Sequence, residues 1–268
     1  MPAIDLVRLR KQAARLSDFF FVPDEFIRHL HEMLDTYVNY TVRKAPAVAP
    51  GANLRTYRTP AVVVRQIEQE LVGRASVTEN SDAALELADR LWDEEWLETR
   101  ILAAFLLGSI PPREERLLAR LTAWSHQLFD ADLRAELLDT SLARLRREAP
   151  EMFLSLVGEW LVPQRAALWP NGIQAVIAAV SDPEFVNLPP LMKVIEPVVE
   201  AAPARLQNEI ADLIRTLYVA SPTETSYFIR QLLIDSQNPM TAITFRRISP
   251  SLPVELREEI REFIKGKA

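Results

Sequence analysis

Nineteen prolines against six glycines constrain this chain most, because of where the prolines fall. Pro112-Arg113-Glu114-Glu115, Pro150-Glu151, Pro183-Glu184, Pro222-Thr223-Glu224 and Pro253-Val254-Glu255 each lead into an apolar-periodic run. Proline suits the first helical position because its missing N–H has no intrahelical partner there. Acidic side chains favour the positive end of the helix dipole. These segments read as helix starts, with the prolines between helical patterns rather than inside them.

The runs that follow have helical period. Leu85, Ala88, Leu91 and Trp92 share one face, as do Leu97, Ile101, Ala104, Phe105 and Gly108. Leu117, Leu121, Trp124 and Leu128 form a third stripe, and Phe153, Val157, Trp160 and Leu161 a fourth. The nearest approach to a strand, Ala61-Val62-Val63-Val64, follows Thr59-Pro60 and runs into Arg65-Gln66-Ile67-Glu68-Gln69-Glu70, so helix is expected there too. The chain reads as all-α, with about a dozen helices.

The starts also recur. Pro112, Pro150, Pro189, Pro222 and Pro253 are separated by 38, 39, 33 and 31 residues. Such a period holds two helices and two turns, as in helical-hairpin repeats. No tetratricopeptide signature recurs, so the expected architecture is an α-solenoid of HEAT-like antiparallel helix pairs with a concave face; an irregular helical bundle is the alternative. Residues 1–44 are expected to form N-terminal helices, 45–54 a linker rich in Ala and Pro, and 55–268 the repeat domain, all within one solenoid.

Apolar residues make up 49 % and charged residues 25 % of the chain, and there is no cysteine. Disulfides, thiolate nucleophiles and Cys-based metal sites are therefore excluded. Asp5, Arg8, Arg10 and Lys11 occupy the place of a signal-peptide core, and the longest charge-free run, Arg165 to Asp182, contains Pro170 and Asn171. A soluble cytoplasmic protein, with no membrane partner, is expected. Net charge is −6, but residues 1–60 carry nine Lys and Arg against six Asp and Glu. Any anion-binding surface is expected to draw on that region. No phosphate-binding glycine motif is present, and His29 and His31, two apart on a helix, point away from each other. No cofactor and no metal is expected.

One stretch is more specific. Leu91-Trp92-Asp93-Glu94-Glu95-Trp96-Leu97-Glu98-Thr99-Arg100-Ile101-Leu102-Ala103-Ala104-Phe105 resembles the signature hairpin of the bacterial DNA alkylation-repair family, the HEAT-like alkylpurine DNA glycosylases. Tyr57-Arg58-Thr59-Pro60 before Val64-Arg65-Gln66-Ile67 is similar to that family's Thr-Pro helix start, without its usual preceding glycine. Ala220-Ser221-Pro222-Thr223-Glu224, with the later Glu255-Leu256-Arg257-Glu258-Glu259-Ile260, resembles its last hairpins. The resemblance implies a carboxylate that stabilises an oxocarbenium-like sugar, tryptophans packed on the deoxyribose, and an arginine on the backbone.

Carried over residue by residue, the implied site is incomplete. The family's tryptophan matches Trp124, but its carboxylate position is Leu128; Asp130, six residues after Trp124, lies about 240° round a helix from that tryptophan. The family's arginine position falls just after Trp169, in Pro170-Asn171-Gly172-Ile173, and its second tryptophan near Asp212. No catalytic residue is therefore assigned. Trp124, Trp169, Arg165 and Asp212 are candidate concave-face contacts, with Trp169 the tryptophan expected to be most exposed. Trp124 and Trp160 also complete apolar stripes, which gives them a core role. Arg43, Lys44, Arg55, Arg58 and Arg65 are candidate phosphate contacts. Two functions are expected from this: duplex DNA binding with weak or no base excision, or a non-enzymatic scaffold for a protein partner.

Overall fold

The computed structural model describes residues 4–38, 54–74, 77–113, 115–128, 131–185 and 187–266. Among them the chain forms fifteen α-helices: α1 (Leu6–Ser17), α2 (Pro23–Thr36), α3 (Ala61–Arg74), α4 (Ser81–Asp93), α5 (Leu97–Ser109), α6 (Glu115–Ser125), α7 (Ala131–Ser141), α8 (Ala143–Glu148), α9 (Pro150–Leu161), α10 (Trp169–Ser181), α11 (Leu188–Ala201), α12 (Gln207–Ala220), α13 (Pro222–Asp235), α14 (Pro239–Ile248) and α15 (Val254–Gly266). No strand occurs among the described residues; the single extended pairing is an isolated bridge between Arg55 and Trp96. The expected all-α fold is what forms.

Helix starts follow the local chemistry. Asp5 caps α1, its Oδ1 accepting from the amides of Val7 and Arg8 at 3.0 and 3.1 Å, and Leu9, Ala13 and Leu16 then bury one face. Pro150 and Pro222 occupy first-turn positions of α9 and α13. Two expected starts are turns instead. Pro112 lies in a turn ahead of α6. Pro183 sits in a turn where Asp182 accepts from Glu184 N through its side chain and from Phe185 N through its carbonyl, both at 3.0 Å. Proline's fixed φ suits the second position of a turn as well as a first helical turn, so α11 begins only at Leu188, with Pro189 in its first turn. Pro197 lies inside α11. It and Lys193 are both exposed, so the carbonyl that loses its donor is on the solvent side of the helix.

The chain divides into two compact units, Met1–Leu121 with Phe129–Leu145, and Thr122–Leu128 with Arg146–Ala268. In the first, α1 packs on α2 and α3, α3 on α5, α5 on α4 and α7, and α2 on α4. In the second, α9 packs on α10 and α11, α10 on α12, α11 on α13, α12 on α14, and α13 on α15. Within each unit, contacts between a helix and its next-but-one neighbour recur, as expected of successive helical hairpins.

The stripes of α4, α6 and α9 are buried as expected, including Leu85, Leu91, Trp92, Leu117, Leu121, Val157 and Trp160. In α5 the phase differs. Leu97, Ile101 and Phe105 are half-buried, whereas Glu98, Leu102, Ala103 and Leu106 face the interior. This helix is covered by α3, α4 and α7, and its sequence is apolar nearly all round, so periodicity could not select the buried side. Where α5 meets α7, Gly108 is needed for close approach: a Cβ there would fall on the carbonyl oxygen of Thr140.

Candidate functional site

The Thr-Pro segment before α3 is held by the turn between α4 and α5. Arg55 N donates to Glu95 O at 2.9 Å, and Leu97 N donates to Arg55 O at 2.8 Å. Beneath this bridge Glu98, 3 % exposed, accepts through Oε1 from Thr56 Oγ1 at 2.9 Å and from Thr59 N at 3.3 Å. Thr56 Oγ1 in turn accepts from Arg58 N at 2.9 Å, across a backbone that enters the left-handed region at Arg58, φ 54°. A non-glycine residue persists there when its surroundings over-determine it. The other Glu98 oxygen and Thr59 Oγ1 are buried with no hydrogen-bond partner among the described residues.

Over this segment lies an aromatic group. Tyr57 stacks on Trp96 at 4.1 Å and 16°, and the Arg55 guanidinium sits 5.9 Å from the Trp96 ring. His31 Nδ1 and the Tyr57 hydroxyl are 2.9 Å apart, and His31 Nε2 is 3.4 Å from Glu94. Burial pushes the Tyr57 phenol upward, reinforced by Asp35, Glu98 and Glu94, so it remains a neutral hydrogen-bonding group. Nearby, Arg100 lies 4.3 Å from the Trp92 ring; burial lowers its pKa, opposed by Asp93 and Glu95.

Of the expected phosphate contacts, Arg55 and Arg65 are exposed and Arg58 is half-buried. Arg55 precedes the two threonines held by Glu98, Arg58 lies between them, and Arg65 lies early in α3. Arg43 and Lys44 lie outside the described residues, as does the linker up to Asn53.

Of the candidate contacts in the second unit, Trp169 departs from expectation. Trp124 is 8 % exposed and Trp169 is 5 % exposed. Trp169, expected to be the most exposed tryptophan, opens α10, with its indole Nε1 donating to Val162 O at 3.0 Å. Pro170 lies in the first turn of that helix and not in a loop, which turns the indole inward. Asn171 donates through Nδ2 to Ser125 O at 2.6 Å, satisfying a carbonyl at the end of α6. Leu128, which the resemblance sets at the carboxylate position, is 5 % exposed and lies beyond the end of α6. Asp130 is outside the described residues. Arg165 is exposed, 3.5 Å from Glu159. Asp212 is exposed on α12 and paired with Arg215 at 2.7 Å, whose Nε and Nη2 donate to Ser251 O.

Arg165 and Asp212 therefore present polar groups to solvent, while Trp124 and Trp169 serve the core. Glu98, Tyr57, Trp96 and His31 are not legible as a group in the sequence, although Trp96 and Glu98 lie in its most specific stretch. Among the described residues, no group of three or more His, Asp or Glu side chains could hold a metal ion. No helix among them is long and apolar enough to cross a membrane.

A family profile described as DNA alkylation repair enzyme matches residues 58–249. That range begins within the clamped Thr-Pro segment and runs to the end of α14, so it takes in Trp124, Trp169 and Asp212. No curated protein and no solved structure matches the chain. With most of its length covered by that profile, from the Thr-Pro helix start through the Trp-rich hairpin to the penultimate helices, the chain belongs to the DNA alkylation repair enzyme family.

Proposed function

We propose that this chain binds duplex DNA through backbone phosphates and does not efficiently excise alkylated purines. Family membership supports a DNA-repair role. One observation carries the negative half: Leu128, a buried hydrocarbon, stands where a carboxylate would stabilise the sugar cation. Trp124 and Trp169 expose too little ring to pack a deoxyribose, and Asn171 spends its amide on Ser125 O. Binding asks for less, since phosphate contacts need only accessible cations. Arg55, Arg58 and Arg65 near the start of α3 are the contacts in this reading, with Arg43 and Lys44 beside them in sequence. The positive end of the α3 dipole adds to their field. The work of such a protein lies with DNA in the cytoplasm.

Two assays test this. Release of 7-methylguanine or 3-methyladenine from methylated duplex DNA should stay at background; excision above it refutes the negative half. Duplex binding should weaken with salt, the log–log slope steepening by about −0.9 per phosphate neutralised. No binding at low salt refutes the positive half. It would leave the scaffold reading, which is supported by an apolar groove lined by Pro189, Met192, Tyr227 and Phe228, Tyr227 being strongly exposed.

A further inference from the structure

The far end of the second unit carries a different electrostatic feature. A cleft of about 450 Å³ between α14 and α15 is lined by Arg246, Ser249, Pro250, Arg257, Ile260, Arg261, Ile264 and Lys265. Four of these are cations and none is acidic, in a chain whose net charge is −6. The segregation is written into α15. At 100° per residue, Arg257, Arg261 and Lys265 fall within about 80° of one another, and Glu255, Glu258, Glu259 and Glu262 occupy the adjoining 100° arc. Leu256, Ile260 and Phe263 fill the remaining side. Among the described residues, no carboxylate lies within ion-pair distance of Arg246, Arg257, Arg261 or Lys265; the ion pairs formed there all join other residues.

Helix-dipole chemistry accounts for part of this. Arg246 and Lys265 lie in the last turns of α14 and α15, where a cation faces the negative end of the dipole. Arg257 and Arg261 have no such reason, since the positive end of α15 is nearer Arg257. Arg257 Nη2 donates to Pro250 O at 3.2 Å and to Leu252 O at 3.1 Å, which fixes the guanidinium at the cleft wall. Its Nε is buried with no partner among the described residues. A guanidinium fixed in this way at the wall of an unneutralised basic cleft is suited to a tetrahedral anion.

We propose that the α14–α15 cleft is a second phosphate-binding site, taking a row of phosphates and not a single anion. Arg257, Arg261 and Lys265 span about 12 Å along α15, long enough to meet more than one phosphate of a DNA strand, which carries one charge per about 3.4 Å of helix axis. The lining contains no aromatic ring to stack a base, so the cleft reads charge and not sequence. The phosphates come from duplex DNA if the function proposed above holds, or from a free polyphosphate; the chemistry of the cleft is the same.

The test compares the full chain with Arg261→Gln/Lys265→Gln, both exposed and outside the Arg257 clamp, and with Arg55→Gln/Arg65→Gln in the first unit. Labelled duplex DNA is titrated at several salt concentrations, and inorganic triphosphate is titrated separately. The C-terminal variant should bind duplex more weakly, with a slope shallower by about 0.9 for each phosphate it no longer neutralises. Duplex and triphosphate binding both unchanged in that variant would overturn the site. If weakening is confined to Arg55→Gln/Arg65→Gln, the cleft fails while the DNA reading stands. If the wild-type chain ignores duplex but binds triphosphate through Arg261 and Lys265, the cleft stands and the DNA reading fails. Binding of neither probe overturns both.

Discussion

Glu98 and Thr56, 42 residues apart, share a buried hydrogen bond of 2.9 Å, and the same carboxylate oxygen takes the amide of Thr59. Through this one side chain the first turn of α5 fixes the segment that starts α3. Losing an acceptor while burying its donors costs about 1–3 kcal/mol. Glu98→Ala should therefore destabilise by about that much, whereas Glu98→Gln, which keeps a carbonyl oxygen, should lose less. Urea unfolding of both variants measures the difference; equal destabilisation would show that Oε1 is not the group that matters.

Gly108 supplies a second structural prediction. A Cβ at this position meets the backbone carbonyl of Thr140 on α7, and backbone cannot swing aside as a side chain can. Gly108→Ala should cost about 1–3 kcal/mol, against the helix-propensity gain that alanine brings at an open position. Gly158 is the control, because nothing lies within 4 Å of its added Cβ. Gly158→Ala should be neutral or stabilising, and thermal unfolding of the pair separates the two effects.

Trp160 tests the core of the second unit. It is fully buried, and its Nε1 donates to Thr122 Oγ1 at 3.1 Å. Trp160→Ala should destabilise by about 3–5 kcal/mol. Trp160→Phe, which keeps most of the volume but strands the Thr122 hydroxyl, should fall in between. A chain whose unfolding midpoint did not move on Trp160→Ala would contradict this packing.

How far these features can be read from the sequence depends on whether local chemistry suffices. Pro150 and Pro222 disclose helix starts because a proline followed by acidic residues is a local signal. Pro183 carries the same signal but lies in a turn, since a fixed φ serves both. The stripes of α4 and α9 are legible because each has a polar side to contrast with the buried one; α5 has almost none. Trp169 is buried against expectation because Trp-Pro reads equally as loop or as the first two residues of a helix. Leu128 and Asn171 are identifiable from the sequence, because the resemblance sets them against expected residue types. The Glu98 clamp is not, because its meaning lies in two segments that only the fold brings together. The basic cleft is hidden for a similar reason: Arg257, Arg261 and Lys265 alternate with glutamates in sequence, and only the helical turn separates the charges.

Glu68, on α3, gives a pH-dependent prediction. Burial raises its pKa most, Arg65 pulls it back, and Glu136 on α7 raises it further. A carboxyl whose folded pKa lies above its unfolded value binds its proton more tightly in the folded state, so stability falls as pH rises between the two values. Below the unfolded value the penalty is absent; above the folded value it is present in full. Glu68→Gln carries no such charge. It should therefore be more stable than the wild-type chain at neutral pH, and its advantage should shrink as pH falls through the carboxylate range, vanishing below about pH 4. Thermal unfolding of the two proteins across that range measures it. A stability difference that stayed constant with pH would mean that Glu68 is held by ordinary packing and not by the cost of burying its charge.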